Sequence, residues 1–236
     1  MCECKVRDKL IHVFWLLTAL LFVGALTMLL AYTPDEQTMG PIQKIFYLHM
    51  PVAICTLASC LVCFIGSVGY LITHKTFWDD LASASARVAV QLGAVVLITG
   101  MLWAKGVWGV WWTWSPRLTF SLVLWLLYVV YLMVRSSIES GQRRAVISAV
   151  YGLIAFLDVP LVYLSARLIK DYIHPASIKL ETSMQLTLLA FFVPVMLVTA
   201  GLIATRCGLN RRLRALQPRG FEVLPPAAAK TARGAL

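Results

Sequence analysis

The chain has 236 residues, of which 60% are hydrophobic and only 14% are charged. Soluble globular domains carry roughly 25% charged residues, so this composition excludes an ordinary soluble fold and indicates an integral membrane protein. The net charge of +10 follows the ends of apolar runs, as membrane topology requires, and we expect no nucleic acid among the partners.

Six apolar runs are long enough to cross a bilayer core of about 30 Å. The first run has charges before it and no small-residue cleavage site after it, which predicts a retained span and not a removed signal peptide. Proline lies in or near some of the runs, and membrane helices tolerate this when neighbouring groups satisfy the freed carbonyls. The predicted spans are 11–31, 46–73, 84–103, 118–134, 145–165 and 186–205.

The distribution of Lys and Arg orients these spans. With the N-terminus in the cytosol, fifteen of the 21 basic residues fall in cytosolic segments and six on the outer side, in accord with the positive-inside rule. We therefore predict an all-α integral membrane protein with six transmembrane helices and both termini cytosolic. Residues 1–10 would form a cytosolic N-terminus and residues 11–206 the membrane domain, followed by a basic, disordered cytosolic tail over 207–236.

The segment between the third and fourth spans has the most unusual composition in the chain. Residues 108–119 read Trp-Gly-Val-Trp-Trp-Thr-Trp-Ser-Pro-Arg-Leu-Thr, and the predicted topology places the whole loop 103–119 on the outer, periplasmic side. Tryptophan has a flat apolar face and a polar edge, so this cluster predicts a stacking surface for a flat apolar ligand. The guanidinium of Arg117 suggests anionic groups on that ligand. The clustered tryptophans are Trp108, Trp111, Trp112 and Trp114, with Trp103 just upstream.

Two of the four histidines fall on the same predicted face. His49 begins the second span, and His174 lies between the fifth and sixth. Neutral imidazole ligates iron, and haem needs an aromatic slot, axial ligands and cations for its propionates. The sequence therefore predicts a haem site in which His49 and His174 are the axial ligands and the tryptophans form the slot. Arg117, with Lys105, would meet the propionates.

Each of these features also has an ordinary interpretation. Tryptophans anchor membrane proteins at the headgroup level, a histidine at a helix end is often solvated or capping, and Arg117 can mark the end of a span. Asp158, inside the fifth span, indicates either a functional group or an internally paired one. Three rival functions remain open: a permease with an aromatic site for its substrate, a membrane cytochrome subunit, and a structural membrane subunit without ligand.

These residues resemble a known family, the WWD-motif haem-handling proteins of cytochrome c biogenesis, and within it the CcmC branch. The Trp-rich loop is similar to the family signature, and Phe46-Tyr-Leu-His-Met-Pro-Val-Ala resembles the segment with one axial histidine. Asp158-Val-Pro-Leu-Val-Tyr-Leu-Ser, followed by His174, resembles the fifth span and the second axial histidine. One position departs from the family, which has Asp where this chain has Ser115. A hydroxyl orders a turn more weakly than a carboxylate does.

The resemblance implies a protein that is not an enzyme and leaves its ligand chemically unchanged. It implies that haem b binds transiently at the periplasmic face and passes to a periplasmic haem chaperone of the CcmE type. A small membrane subunit of the CcmD type, ATP-binding cassette transporter subunits of the CcmAB type, and membrane lipid are the other implied partners. The location implied is the bacterial inner (plasma) membrane, crossed in several passes.

Overall fold

Long helices form the framework of the computed structural model, which describes residues 2–139, 141–168 and 180–216. A short 3-10 turn, Pro41–Ile45, leads directly into the second helix. The helices in chain order are α1 (Cys2–Ala31), α2 (Phe46–Thr73), α3 (Thr76–Trp108), α4 (Pro116–Ser136), α5 (Gly141–Phe156), α6 (Asp158–Leu168) and α7 (Thr182–Leu216).

Six stretches of the described residues are long and apolar enough to cross a membrane, which confirms the predicted fold class. The fifth stretch, Gly141–Ser165, is shared by α5 and α6. An even number of crossings leaves the beginning of α1 and the end of α7 on the same side of the bilayer. That this side is the cytosol remains a prediction from the loop charges.

The helices extend beyond the apolar runs at several ends. α1 begins at Cys2, so the predicted N-terminal segment is helical almost throughout, and α3 begins at Thr76, before the predicted start of its span. α7 continues to Leu216, so residues 207–216 are helical and not a disordered tail, while residues 217–236 lie outside the described part of the chain. Hydropathy marks only the part of a helix in hydrocarbon, whereas Lys, Arg, Leu and Ala also favour helix in the polar layer beyond it.

The fifth span is broken near its middle. α5 ends at Phe156, and the N–H of Leu157 bonds to the carbonyl of Ile154 at 3.1 Å in place of the regular helical bond. Pro160, in the first turn of α6, has no N–H for the carbonyl of Phe156, so an unbroken helix would lose that bond. Asp158 begins α6 with 6% of its surface exposed, and its Oδ2 has no hydrogen-bond partner among the described residues.

Close contact between α2 and α3 forms the centre of the bundle. α2 also contacts α5 and α7, and α3 also contacts α4 and α7. Gly66 of α2 lies so near α3 that an added Cβ would be 2.8 Å from the backbone nitrogen of Ala82. Small residues let membrane helices approach closely and gain van der Waals contact. Cys60 and Cys63 lie in the same buried cluster, packed with Tyr128 and Tyr131 of α4.

Replacing Gly66 with alanine tests this contact. We expect Gly66→Ala to lower the free energy of unfolding by about 1–3 kcal/mol, because the added methyl group meets the backbone of α3 and forces the helices apart. Gly24→Ala is the matched control, since an added Cβ at Gly24 meets nothing within 4 Å. Thermal unfolding in detergent, followed by size-exclusion chromatography, measures both. Equal melting temperatures for the two variants would contradict the close contact.

Candidate functional site

A glycine turn at the end of α3 starts the Trp-rich loop. Gly109 has φ 72°, in the left-handed region, and its N–H bonds to the carbonyl of Lys105 at 3.1 Å. Glycine adopts this conformation without the steric cost of a Cβ. The ammonium of Lys105 donates to the Gly109 carbonyl at 2.9 Å and lies 5.8 Å from the centre of the Trp111 ring. Lys105, predicted as a second cation for propionates, thus also stabilises the turn itself.

The tryptophans separate into two groups where the sequence suggests one surface. An inner aromatic group, Phe46, Trp103 and Trp108, links the start of α2 to the end of α3, with ring centres 5.8 and 6.3 Å apart. The outer aromatic group, Trp111, Trp112 and Trp114, lies in the loop before α4. Trp112 and Trp114 meet edge to face at 6.0 Å, while 56% of Trp111 and 76% of Trp114 is exposed.

His49 lies beside the inner aromatic group. It occupies the first turn of α2, and its ring is edge-on to Trp103 with ring centres 5.9 Å apart. Its Nδ1 is 2.8 Å from the hydroxyl of Thr99 on α3. Gly100 leaves room for the imidazole, because a Cβ there would lie 3.3 Å from His49 Cε1. The imidazole is therefore fixed between the two central helices.

The hydrogen bonds of the Thr99 hydroxyl favour one tautomer of His49. Thr99 donates to the carbonyl of Val95 at 2.7 Å, and a hydroxyl has only one proton to donate. Toward His49 the hydroxyl must then accept, so Nδ1 carries the hydrogen and Nε2 carries the lone pair. Metal-binding histidines use this arrangement, in which one ring nitrogen donates to a neighbour and the other is the ligand.

The 3-10 turn before α2 packs against the end of α3. Ile42 fills the space left by Gly106, where a Cβ would lie 2.5 Å from Ile42 Cγ1. Lys44, in the same turn, forms a 2.9 Å ion pair with Asp35 of the preceding loop. The start of α2 and the end of α3 are therefore joined through the packing of this turn.

The Trp-rich loop contains buried polar groups without hydrogen-bond partners. Trp112 Nε1, Thr113 Oγ1 and Ser115 Oγ are all buried, and none has a partner in the described residues. Such groups cost free energy unless a ligand or water satisfies them, and all three can donate. The loop therefore suits an anionic group such as a carboxylate. Thr113 was not among the residues selected from the sequence.

Ser115 is the N-cap residue of α4, followed by Pro116 in the first helical position. Its carbonyl accepts the N–H of Thr119 at 2.9 Å, but its hydroxyl makes no capping bond. Arg117, the predicted propionate partner, lies in the first turn of the same helix and is partly exposed. The helix start therefore carries Arg117 next to the unsatisfied donors of the loop.

The structure brings together most of the predicted site, but not all of it can be compared. His49, Arg117 and the two aromatic groups lie at the same end of the bundle. His174 lies outside the described residues, so its role as second ligand stays a prediction. The sequence alone does not identify Thr99 and Gly100 as part of the site. Thr99 lies four residues before Trp103 on α3, and this helical spacing could have indicated that both face α2.

Substitutions at Ser115 test the uncapped start of α4. Ser at an N-cap is usually worth about 0.5–2 kcal/mol relative to Ala, but here the hydroxyl caps nothing. We expect Ser115→Ala to leave the free energy of unfolding nearly unchanged, and Ser115→Asp to raise it by about 0.5–1 kcal/mol through the helix dipole. Thermal unfolding of both variants beside the parent measures this. A clear loss of stability in Ser115→Ala would show that the hydroxyl does cap the helix.

Several known proteins that share one name are similar to this chain. A relative named heme exporter protein C from Bradyrhizobium diazoefficiens is 31% identical over 196 residues, covering 79% of this chain and 74% of that protein. The protein of the same name from Paracoccus denitrificans is 33% identical over 122 residues, covering 52% and 51% of the two chains. That from Rhodobacter capsulatus is 28% identical over 198 residues, covering 80% and 82%.

The sequence profile of one family, described as heme exporter protein C, matches residues 3–217, from the beginning of α1 to the end of α7. The match includes the Trp-rich loop, His49 and His174, and it confirms the resemblance drawn from those residues. The protein belongs to the heme exporter protein C (CcmC) family.

Proposed function

We propose that the protein binds haem at the end of the bundle that carries the Trp-rich loop and presents it to a second protein during cytochrome c maturation. The geometry of His49 carries this proposal. Thr99 holds the imidazole in the tautomer that places the lone pair on Nε2, beside the inner aromatic group. Membership of the heme exporter protein C family supports the same assignment.

Different residues of the site would contact the iron and the propionates of haem. His49 would be one ligand of the haem iron, and His174 is proposed as the other. Arg117 and the unsatisfied donors of Trp112, Thr113 and Ser115 meet the propionates, since charged and neutral donors together satisfy a carboxylate. Haem would supply an iron atom, which is commonly bound by imidazole nitrogen. The protein's own part is to orient haem and leave it chemically unchanged.

The exposed tryptophans are the proposed contact with the receiving protein. Trp111 and Trp114 present large apolar faces outside the bundle, and exposed aromatic surface commonly marks a binding site. The proposed receiver is a periplasmic haem chaperone of the CcmE type, with a CcmD-type membrane subunit and CcmAB-type transporter subunits as further partners. The positive-inside rule supports a site on the outer face of the membrane, and the bacterial inner membrane is the proposed location.

A structural subunit without ligand explains these features less well. It would leave three polar groups buried and unsatisfied in one loop, and such groups normally have partners in native proteins. It would also give no reason for the hydrogen-bonded orientation of His49. We therefore favour the haem-binding function over a purely structural one.

Replacing His49 tests the axial ligand directly. Purified parent protein supplied with haem is expected to show the Soret band and low-spin spectrum of bis-histidine ligation, and His49→Ala to lose that low-spin signature because one ligand is gone. His174→Ala tests the second ligand in the same way. His12→Ala, an exposed histidine near the beginning of α1, is the matched control. An unchanged spectrum in His49→Ala would exclude His49 as a ligand.

The Thr99 hydrogen bond can be removed without removing the histidine. Thr99→Val keeps the shape of the side chain but no longer accepts from Nδ1, and such partners of metal-bound histidines typically contribute about 10- to 100-fold in metal affinity. We expect haem affinity to fall within that range, as measured by spectroscopic titration. Thr99→Ser retains the hydroxyl and should bind haem like the parent. Equal losses in both variants would mean that packing, and not the hydrogen bond, is responsible.

A further inference from the structure

A second polar site lies at the opposite end of the bundle from the Trp-rich loop. α3 begins there, and at 1.5 Å per residue the distance along the helix from Asp79 to Trp108 is roughly 45 Å. Side chains of α3, α4, α5 and α7 line a partly open cavity of about 170 Å³ at this end. It is lined by Asp79, Asp80, Ser83, Arg87, Arg135, Arg144, Asn210, Leu213 and Arg214.

Both carboxylates in this cavity are already neutralised. Arg135 of α4 binds Asp79 through two parallel bonds of 2.6 and 2.7 Å, with both side chains about nine-tenths buried. Arg214 of α7 forms an ion pair with Asp80, whose side chain is 3% exposed. These two pairs connect α3 to α4 and α7, and they neutralise both carboxylates that line the cavity.

Two further guanidinium groups line the same cavity, in addition to the two that form ion pairs. Arg87 and Arg144 both line it, and neither forms an ion pair with a carboxylate in the described part of the chain. Arg144 Nε is buried without a hydrogen-bond partner. Arg87 also experiences the like charges of Arg135 and Arg206. With two paired acids and four arginines, the cavity has an excess of two positive charges at the edge of a membrane domain, and an anion would relieve their repulsion.

The dimensions and donors of the cavity indicate the class of anion. A cavity of about 170 Å³ admits a small tetrahedral anion and not a macrocycle, so it is distinct from the haem site. The planar fork of arginine matches phosphate oxygens. Asn210 and Ser83, bonded to each other at 3.0 Å, add neutral polar groups to the wall. Basic pockets between transmembrane helices bind the headgroups of anionic lipids.

We propose that this cavity binds a phosphate group through Arg87 and Arg144, supplied by the headgroup of an anionic phospholipid or by free phosphate. The surroundings agree with a lipid source. Phe77, one turn from the cavity on α3, is 44% exposed, and Arg211 lies 5.3 Å from its ring. An occupied cavity would join α3 and α5 through the anion, in addition to the two ion pairs. This site does not depend on the proposed haem function.

The full-length protein, purified in detergent and stripped of lipid in phosphate-free buffer, provides the test. It is titrated separately with short-chain phosphatidylglycerol, short-chain phosphatidylcholine and inorganic phosphate, with calorimetry and the shift in melting temperature as measurements. Tight binding of phosphatidylglycerol alone supports the lipid source, and comparable binding of inorganic phosphate supports the free anion. The proposal is overturned if the parent binds neither phosphatidylglycerol nor inorganic phosphate.

Single substitutions locate the binding in the cavity. Arg87→Gln and Arg144→Gln are each expected to weaken binding about tenfold or more, because each removes a charge-assisted hydrogen bond to the anion. Arg143→Gln is the matched control, with the same loss of charge on the neighbouring exposed residue outside this cavity. Arg87 is itself exposed, so its replacement leaves the fold intact. Parent-like affinity in Arg87→Gln, or an equal loss in Arg143→Gln, would refute the assignment.

Discussion

The close contact between α2 and α3 is the constraint on which the rest of the structure depends. At Gly66 the two backbones approach until even one methyl group would not fit. Near the other end of the same interface, the contact brings His49 of α2 within hydrogen-bond distance of Thr99 on α3. A membrane bundle gains little from the hydrophobic effect within lipid, so such packing and a few buried hydrogen bonds must set the register of its helices. The position of the imidazole follows from that register.

The two ends of the bundle carry different arrangements of charged and polar groups. At the beginning of α3, two buried carboxylates are matched by two guanidiniums, and each pair joins α3 to another helix. Breaking such a pair would leave a charge buried without compensation, which costs much more than the intact pair contributes. At the end of α3, the polar groups are neutral donors in a loop, and they remain unsatisfied. The two ion pairs stabilise the bundle, whereas the unsatisfied donors of the loop leave capacity for a ligand.

The sequence predicts some parts of this arrangement and not others, for physical reasons. Hydropathy locates all six spans because burial in lipid demands long apolar runs, and composition alone identifies the Trp-rich loop. The partnership of His49 with Thr99 depends on the register of two helices, which neither helix encodes by itself. From the sequence, Arg87 and Arg144 can be recognised only as charges near span ends, because their shared cavity exists only after α3, α4, α5 and α7 pack. The split of the tryptophans into two groups likewise follows from the turn at Gly109.

A site that must both hold and release its ligand needs one fixed part and one accessible part. His49 belongs to the fixed part, since Thr99, Trp103 and Gly100 of α3 all lie against its ring. Trp111 and Trp114 belong to the accessible part, since most of each side chain lies outside the bundle. In the proposed function, a partner would therefore reach the exposed edge of the haem without unfolding the helices that hold His49. In the proposed function, transfer requires exchange of contacts at the loop while α2 and α3 remain packed.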